Sequence, residues 1–181
     1  MTEPDEDGRG LKRPVARAVT PAYLERAALA YLERFASSAQ NLARVLKRKV
    51  ERRCRMRSED PGPFLALIDD VVARAVRGGL LDDRRYAEAR VASLRRRGGS
   101  ARAIGAKLAA KGVARETVAA ALVGAEDDEA AAAHALARRR RLGPYRTCDR
   151  AAFREKDLAV LARAGFGFAI ARRVIDEVTE T

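Results

Sequence analysis

The chain of 181 residues has no tryptophan, one histidine, two cysteines and few aromatics, 5% in all. Each shortage removes a class of function. His134 has no second histidine to work with, and Cys54 and Cys148 lie too far apart for a CxxC pair. A zinc site or a disulfide framework is therefore not expected, and a reducing cytoplasm is the expected compartment. No apolar run in the sequence approaches the roughly 20 residues that span a bilayer. The acidic start, Met1 to Asp7, has no apolar stretch of the kind a secretory signal needs. Phosphate loops, HExxH, GxSxG and dinucleotide fingerprints are missing, so neither an enzyme nor a cofactor is expected. Asp82-Asp83 and Glu126 to Glu129 read as acids at helix starts rather than catalytic carboxylates.

In place of these the chain has 38 alanines, 31 arginines and 6 lysines, with a formal net charge of +12. Such a composition, poor in β-branched and aromatic residues, predicts an all-α protein. Residues 1–19 carry glycine, proline and charge without an apolar stripe and read as a disordered tail. Thr20-Pro21 then opens the first of nine expected helices, running to about Phe35. Ser37 to Gln40 has the form of a capping box before helix two, whose stripe is Leu42, Val45, Leu46 and Val50. Pro61-Gly62-Pro63 precedes helix three, and Gly78-Gly79 follows it. Asp82 and Ser100 read as N-caps of helices four and five, and Gly98-Gly99, Gly112, Gly124 and Gly143-Pro144 as stops.

A weak repeat links the middle helices. Leu42-x3-Leu46-x2-Lys49-Val50 is similar to Ile104-x3-Leu108-x2-Lys111-Gly112-Val113, with Leu161-x2-Ala164-Gly165-Phe166 as a looser third copy. This predicts three tandem three-helix modules, at 20–79, 80–125 and 126–181. Each is too small to hold a good core alone, so they are expected to stack into an elongated, curved rod.

The stretch Gly79-Leu80-Leu81-Asp82-Asp83-Arg84-Arg85-Tyr86-Ala87, then Arg97-Gly98, then the Ile104 to Val113 pattern, resembles the signature of the RecX family. Those bacterial proteins regulate the RecA recombinase. Ala28 to Leu32 followed by Ser37, and Arg163-Ala164-Gly165-Phe166, extend the resemblance more weakly over residues 21–178. The chain departs from the pattern at Leu94, at Ser100-Ala101, and where helix two runs through Lys49-Val50-Glu51 without a glycine. The resemblance implies a non-enzymatic protein without a cofactor. It would bind RecA and RecA filaments on single-stranded DNA and limit recombinase, ATPase and co-protease activity in DNA repair and the SOS response. On the motif residues Asp82, Asp83, Tyr86, Ala87, Gly98, Ile104, Leu108, Gly112, Gly165 and Phe166 it confers structural roles.

Charge picks out the candidate contacts. From Arg44 to Arg57 eight basic residues meet one acid, Glu51. The apolar stripe of helix two faces the core, so Arg44, Lys47, Arg48, Arg52 and Arg55 are expected outward. Arg95, Arg96, Arg97, Lys107 and Lys111 are expected to extend that face. For Arg95 to Arg97 and for Arg138 to Arg141 the alternative is stabilisation of a helix C-terminus. Aromatics do not interleave with the basic runs, so a base-stacking platform is not expected. Weak, non-specific DNA binding by a monomer is expected instead. A helix-turn-helix reader of duplex DNA is the alternative, although Ala101 to Lys111 offers no Asn or Gln for base edges.

Overall fold

The computed structural model describes residues 17–123 and 125–177. Among them are nine α-helices and no strand: α1 (Pro21–Leu32), α2 (Ala39–Arg57), α3 (Leu65–Arg77), α4 (Asp83–Arg96), α5 (Ala101–Ala110), α6 (Arg115–Ala121), α7 (Ala125–Arg140), α8 (Arg150–Arg163) and α9 (Phe168–Asp176). The start signals act as chemistry requires. Thr20 Oγ1 accepts from the Tyr23 N–H at 3.2 Å with Pro21 at the first helical position, and Asp82 Oδ1 accepts from the Arg85 N–H at 3.0 Å.

Three expectations are corrected here. Helix one stops at Leu32, and the cap of α2 is Ser38, which accepts from the Asn41 N–H; Ser37 instead accepts from the Asn41 side chain. Val19, assigned to the tail, is buried in the first core, because its side chain is apolar. Residues 1–16 of that tail, together with Gly124, lie outside the described residues.

The buried side chains form three clusters in series. The first runs from Val19 to Leu81 and is centred on Leu24, Leu42, Leu46, Val50, Cys54 and Val71. The second is Tyr86, Ala87, Val91, Leu94, Ile104, Leu108 and Val113. The third joins Ala133, Leu136, Leu161, Phe166, Val174 and Ile175. Within each, three consecutive helices pack on one another; between clusters, α4 packs on α7. In the third core Asp157 is 2% exposed, and accepts from the Gly143 N–H at 2.9 Å and from the Arg146 guanidinium at 2.6 and 3.1 Å. Buried polar atoms cost folding energy unless they meet such partners.

One device recurs where the cores meet. Ser38, the cap of α2, also donates its hydroxyl to the Lys111 carbonyl at the end of α5, and Ser100, the cap of α5, donates to the Ala164 carbonyl at the end of α8, at 2.7 Å. The first helical N–H of each also goes to an acid of the next core: Ala39 to Asp83 at 2.8 Å, Ala101 to Glu129 at 3.0 Å. The receiving ends turn through Gly112 at φ 78° and Gly165 at φ 94°, a left-handed backbone that favours glycine. Four groups that a lone helix leaves to water are thus satisfied across the boundary.

The same comparison shows where α2 differs. Val113 and Phe166 return their N–H to the carbonyls of Leu108 and Leu161, and Glu59 does so to Cys54. Ser58, at φ 55°, therefore stands where Gly112 and Gly165 stand. The repeat matched Lys49-Val50 to Lys111-Gly112; in the structure α2 passes that point and runs for 19 residues, against 10 in α5.

Candidate functional site

The extended α2 organises the basic surface. Leu42, Leu46, Val50 and Cys54 recur every four residues and are buried, which sends the opposite face to solvent. Arg44, Lys47, Arg48, Arg52 and Arg55 are exposed, as is Lys49. Lys47 sits 4.0 Å from Glu51, whereas Arg48, Lys49, Arg52 and Arg55 meet no carboxylate among the described residues. Like charges crowded on one helix repel, so this face gains from an anionic partner.

Arg44 has a second duty. Its Nη2 donates to the Ala110 carbonyl at 2.8 Å, and Lys111 Nζ reaches Asn41 Oδ1 at 3.4 Å. These two cations therefore stand together where α2 meets α5. Lys107, Arg96 and Arg97 are exposed, and the Arg97 carbonyl accepts from Arg139 Nη1 at 2.8 Å.

Arg95 leaves the candidate face. It is 8% exposed, paired with Glu129, and its Nη1 reaches the Gly99 carbonyl at 3.3 Å. The expectation failed because α7 packs on α4 and covers the last turn at that position. The motif residues line the cores and their boundaries. Tyr86, Ala87, Ile104, Leu108 and Phe166 are buried; Asp82 caps α4; Asp83 holds the Ala39 N–H; Gly98 is buried at φ 76° beside the Leu136 backbone.

The N-terminus of α5 bears on the duplex-reading alternative. A recognition helix presents its first residues to base edges. Here Ser100 is fully buried and the Ala101 N–H is occupied by Glu129. What remains outward on α5 is Arg102, Ala106, Lys107, Ala109 and Ala110, which offer phosphate contacts and no base code.

Sequence reasoning missed one pairing. The Arg53 guanidinium lies 3.8 Å over the centre of the Tyr23 ring, so α1 delivers an aromatic to the basic helix after all. The two are thirty residues apart and share no local pattern; only the packing of α1 on α2 unites them. Tyr145 is half-buried, with its hydroxyl 3.2 Å from His134 Nδ1. His134 also faces Glu177 Oε2 at 3.5 Å, and no cluster among the described residues has the makings of a metal site. Burial, with the nearby Glu59 and Asp60 carboxylates, pushes the Cys54 thiol above its ordinary value, so it stays protonated and inert. No helix among the described residues is long and apolar enough to cross a membrane.

The comparisons with known proteins agree with this architecture. Residues 82–122 match the family described as RecX, second three-helix domain. The regulatory protein RecX of Myxococcus xanthus is 48% identical over 172 residues, covering 93% of this chain and 91% of that protein. The regulatory protein RecX of Agrobacterium fabrum is 41% identical over 138 residues, covering 75% and 74%. No solved structure matches. The caps, turns and buried residues of the second core coincide with the matched segment, and the likeness to whole regulatory proteins extends through all three cores: the chain belongs to the RecX family.

Proposed function

We propose that this chain binds the RecA recombinase and its filament on single-stranded DNA, and restrains the ATPase, recombinase and co-protease activities. The observation that carries the reading is the kinship with proteins named as regulators along nearly the whole chain. Arg48, Lys49, Arg52 and Arg55 of α2, which meet no carboxylate among the described residues, supply a surface suited to acidic protein or to exposed phosphate. Arg44, Lys47, Arg48, Arg52, Arg55, Arg96, Arg97, Lys107 and Lys111 are the proposed contacts, without Arg95. Three cores in series, with middle helices abutting end to end, support an elongated, curved monomer that lies along a helical groove and bridges neighbouring subunits. No catalysis and no cofactor enter this mechanism.

The test is RecA-dependent ATP hydrolysis on single-stranded DNA with rising, substoichiometric protein. Hydrolysis should fall, and the protein alone should hydrolyse nothing. The triple change Arg48→Glu, Arg52→Glu and Arg55→Glu should keep the fold, since exposed substitutions usually cost within about 0.5 kcal/mol each. It should lose most of the inhibition, whereas Arg172→Glu with Arg173→Glu should retain it. Unchanged hydrolysis across the titration overturns the reading. Small-angle scattering tests the shape: the radius of gyration should exceed the roughly 16 Å of a compact chain of this length.

A further inference from the structure

The later turns of α2 meet α1 in a groove that combines cations, an aromatic ring and a thioether. Tyr23, Lys49, Arg52, Arg53 and Met56 line an open groove of about 270 Å³ on the flank where α1 meets α2. One side of it is the Tyr23 ring with the planar Arg53 guanidinium centred 3.8 Å over it. Beside it Met56 is 60% exposed, which leaves its thioether open to a ligand. Lys49 and Arg52 stand at the groove without any carboxylate partner among the described residues.

We propose that this groove binds one unpaired base of single-stranded DNA. The base stacks on the guanidinium plane and the Met56 thioether, and its flanking phosphates rest on Lys49 and Arg52. The chemistry selects this ligand over others. A planar guanidinium and a polarisable sulfur favour a flat π-system, and every base offers one once it leaves the duplex. Duplex DNA hides its base faces and would use only the two free cations. An acidic peptide would use the same cations and leave the flat stack and the exposed thioether without a role. The volume sits just below the roughly 300 Å³ at which pockets for drug-sized ligands begin, which suits a single base. The groove carries no hydrogen-bonding side chain other than the cations and the Tyr23 hydroxyl, so it tolerates any base.

The experiment contains no recombinase, so its failure leaves the RecA reading standing, and the loss of ATPase inhibition would leave this site standing. Binding of the full chain to a labelled 20-nucleotide oligothymidylate is compared with binding to an abasic 20-mer of equal charge. The thymidylate should bind at least about fivefold more tightly, the low end of one stacked base. Arg53→Lys keeps the charge and removes the plane; Met56→Ala removes the thioether. Together they should bring the ratio close to one while circular dichroism and the slope of affinity against salt stay as in the parent. Lys49→Ala should weaken both oligomers alike and flatten that slope. Equal affinity of the parent for the two oligomers overturns the proposal, as does a ratio that persists in the double variant. Displacement of the thymidylate by poly-glutamate at matched charge also overturns it, and assigns the groove to an acidic protein.

Discussion

The two boundaries between cores begin alike and end differently. At each, a capping serine of one middle helix donates to a carbonyl at the end of the next, and an acid of the following core takes the first amide. Between the first and second cores the remaining links are exposed: Arg44 to the Ala110 carbonyl and Lys111 to Asn41. Between the second and third cores helix packing is added to the same device. There α4 lies on α7, Arg95 and Glu129 pair out of water, and Gly98 presses on the Leu136 backbone. Hydrogen bonds alone give register at small net gain, because water competes for the same groups. Burial excludes the competitor and makes the boundary stiff. The second and third cores are thus expected to move as one body, with the first core more weakly attached.

The largest effect should come from Glu129→Ala, which strands the Arg95 charge in a site it cannot leave. Breaking a buried pair from one side costs about 3–5 kcal/mol, and thermal unfolding should show the second and third cores losing stability together. Gly98→Ala should follow. An added Cβ would come within 2.7 Å of the Leu136 nitrogen, on a backbone at φ 76°. Strain and overpacking together cost roughly 2–4 kcal/mol, read by chemical denaturation. At the first boundary Asp83→Ala should cost only about 1 kcal/mol, the worth of a capping acceptor. If it costs as much as Glu129→Ala, the comparison fails.

Hydrogen exchange gives a finer measure. The Ala39 amide should exchange about tenfold faster than the Ala101 amide, although both bind carboxylates, because its boundary opens without unpacking helices. The smallest effect concerns acid. The hydrogen bonds from Arg154 hold the exposed Asp176 carboxyl below its ordinary value, with Arg172 and Arg150 adding to the field. A depressed carboxylate stabilises the fold above its unfolded pKa and loses that contribution as pH falls through the folded one. Asp176→Asn should therefore slightly reduce stability near neutrality. Its melting temperature should converge with the parent's as pH falls through the depressed pKa of Asp176, with no change at the first boundary.

How legible these features were depended on range. Thr20, Asp82 and Ser100 were readable as caps, because each acts on an amide three residues away. Leu42, Leu46 and Val50 were readable as core because helical spacing puts them on one side, and the same logic placed Arg48, Arg52 and Arg55 outward. Arg95 was misread, since its position in the last turn fits either a cap or a contact until α7 covers it. The left-handed turn that ends α2 was not readable: no glycine marks it, and Ser58 accepts a backbone that glycine usually takes.

The sequence by itself determined an all-α chain, its caps and turns, a cationic second helix and membership of a family, because these follow from residue types and near-neighbour spacing. Tertiary structure alone decided which serines bridge successive cores, that Arg95 is a buried partner of Glu129 and that Tyr23 lies under Arg53. Those contacts join residues from about thirty to more than seventy positions apart. No local pattern encodes such a meeting; the packing of one helix on another creates it, by removing water from one face and leaving the other to bind.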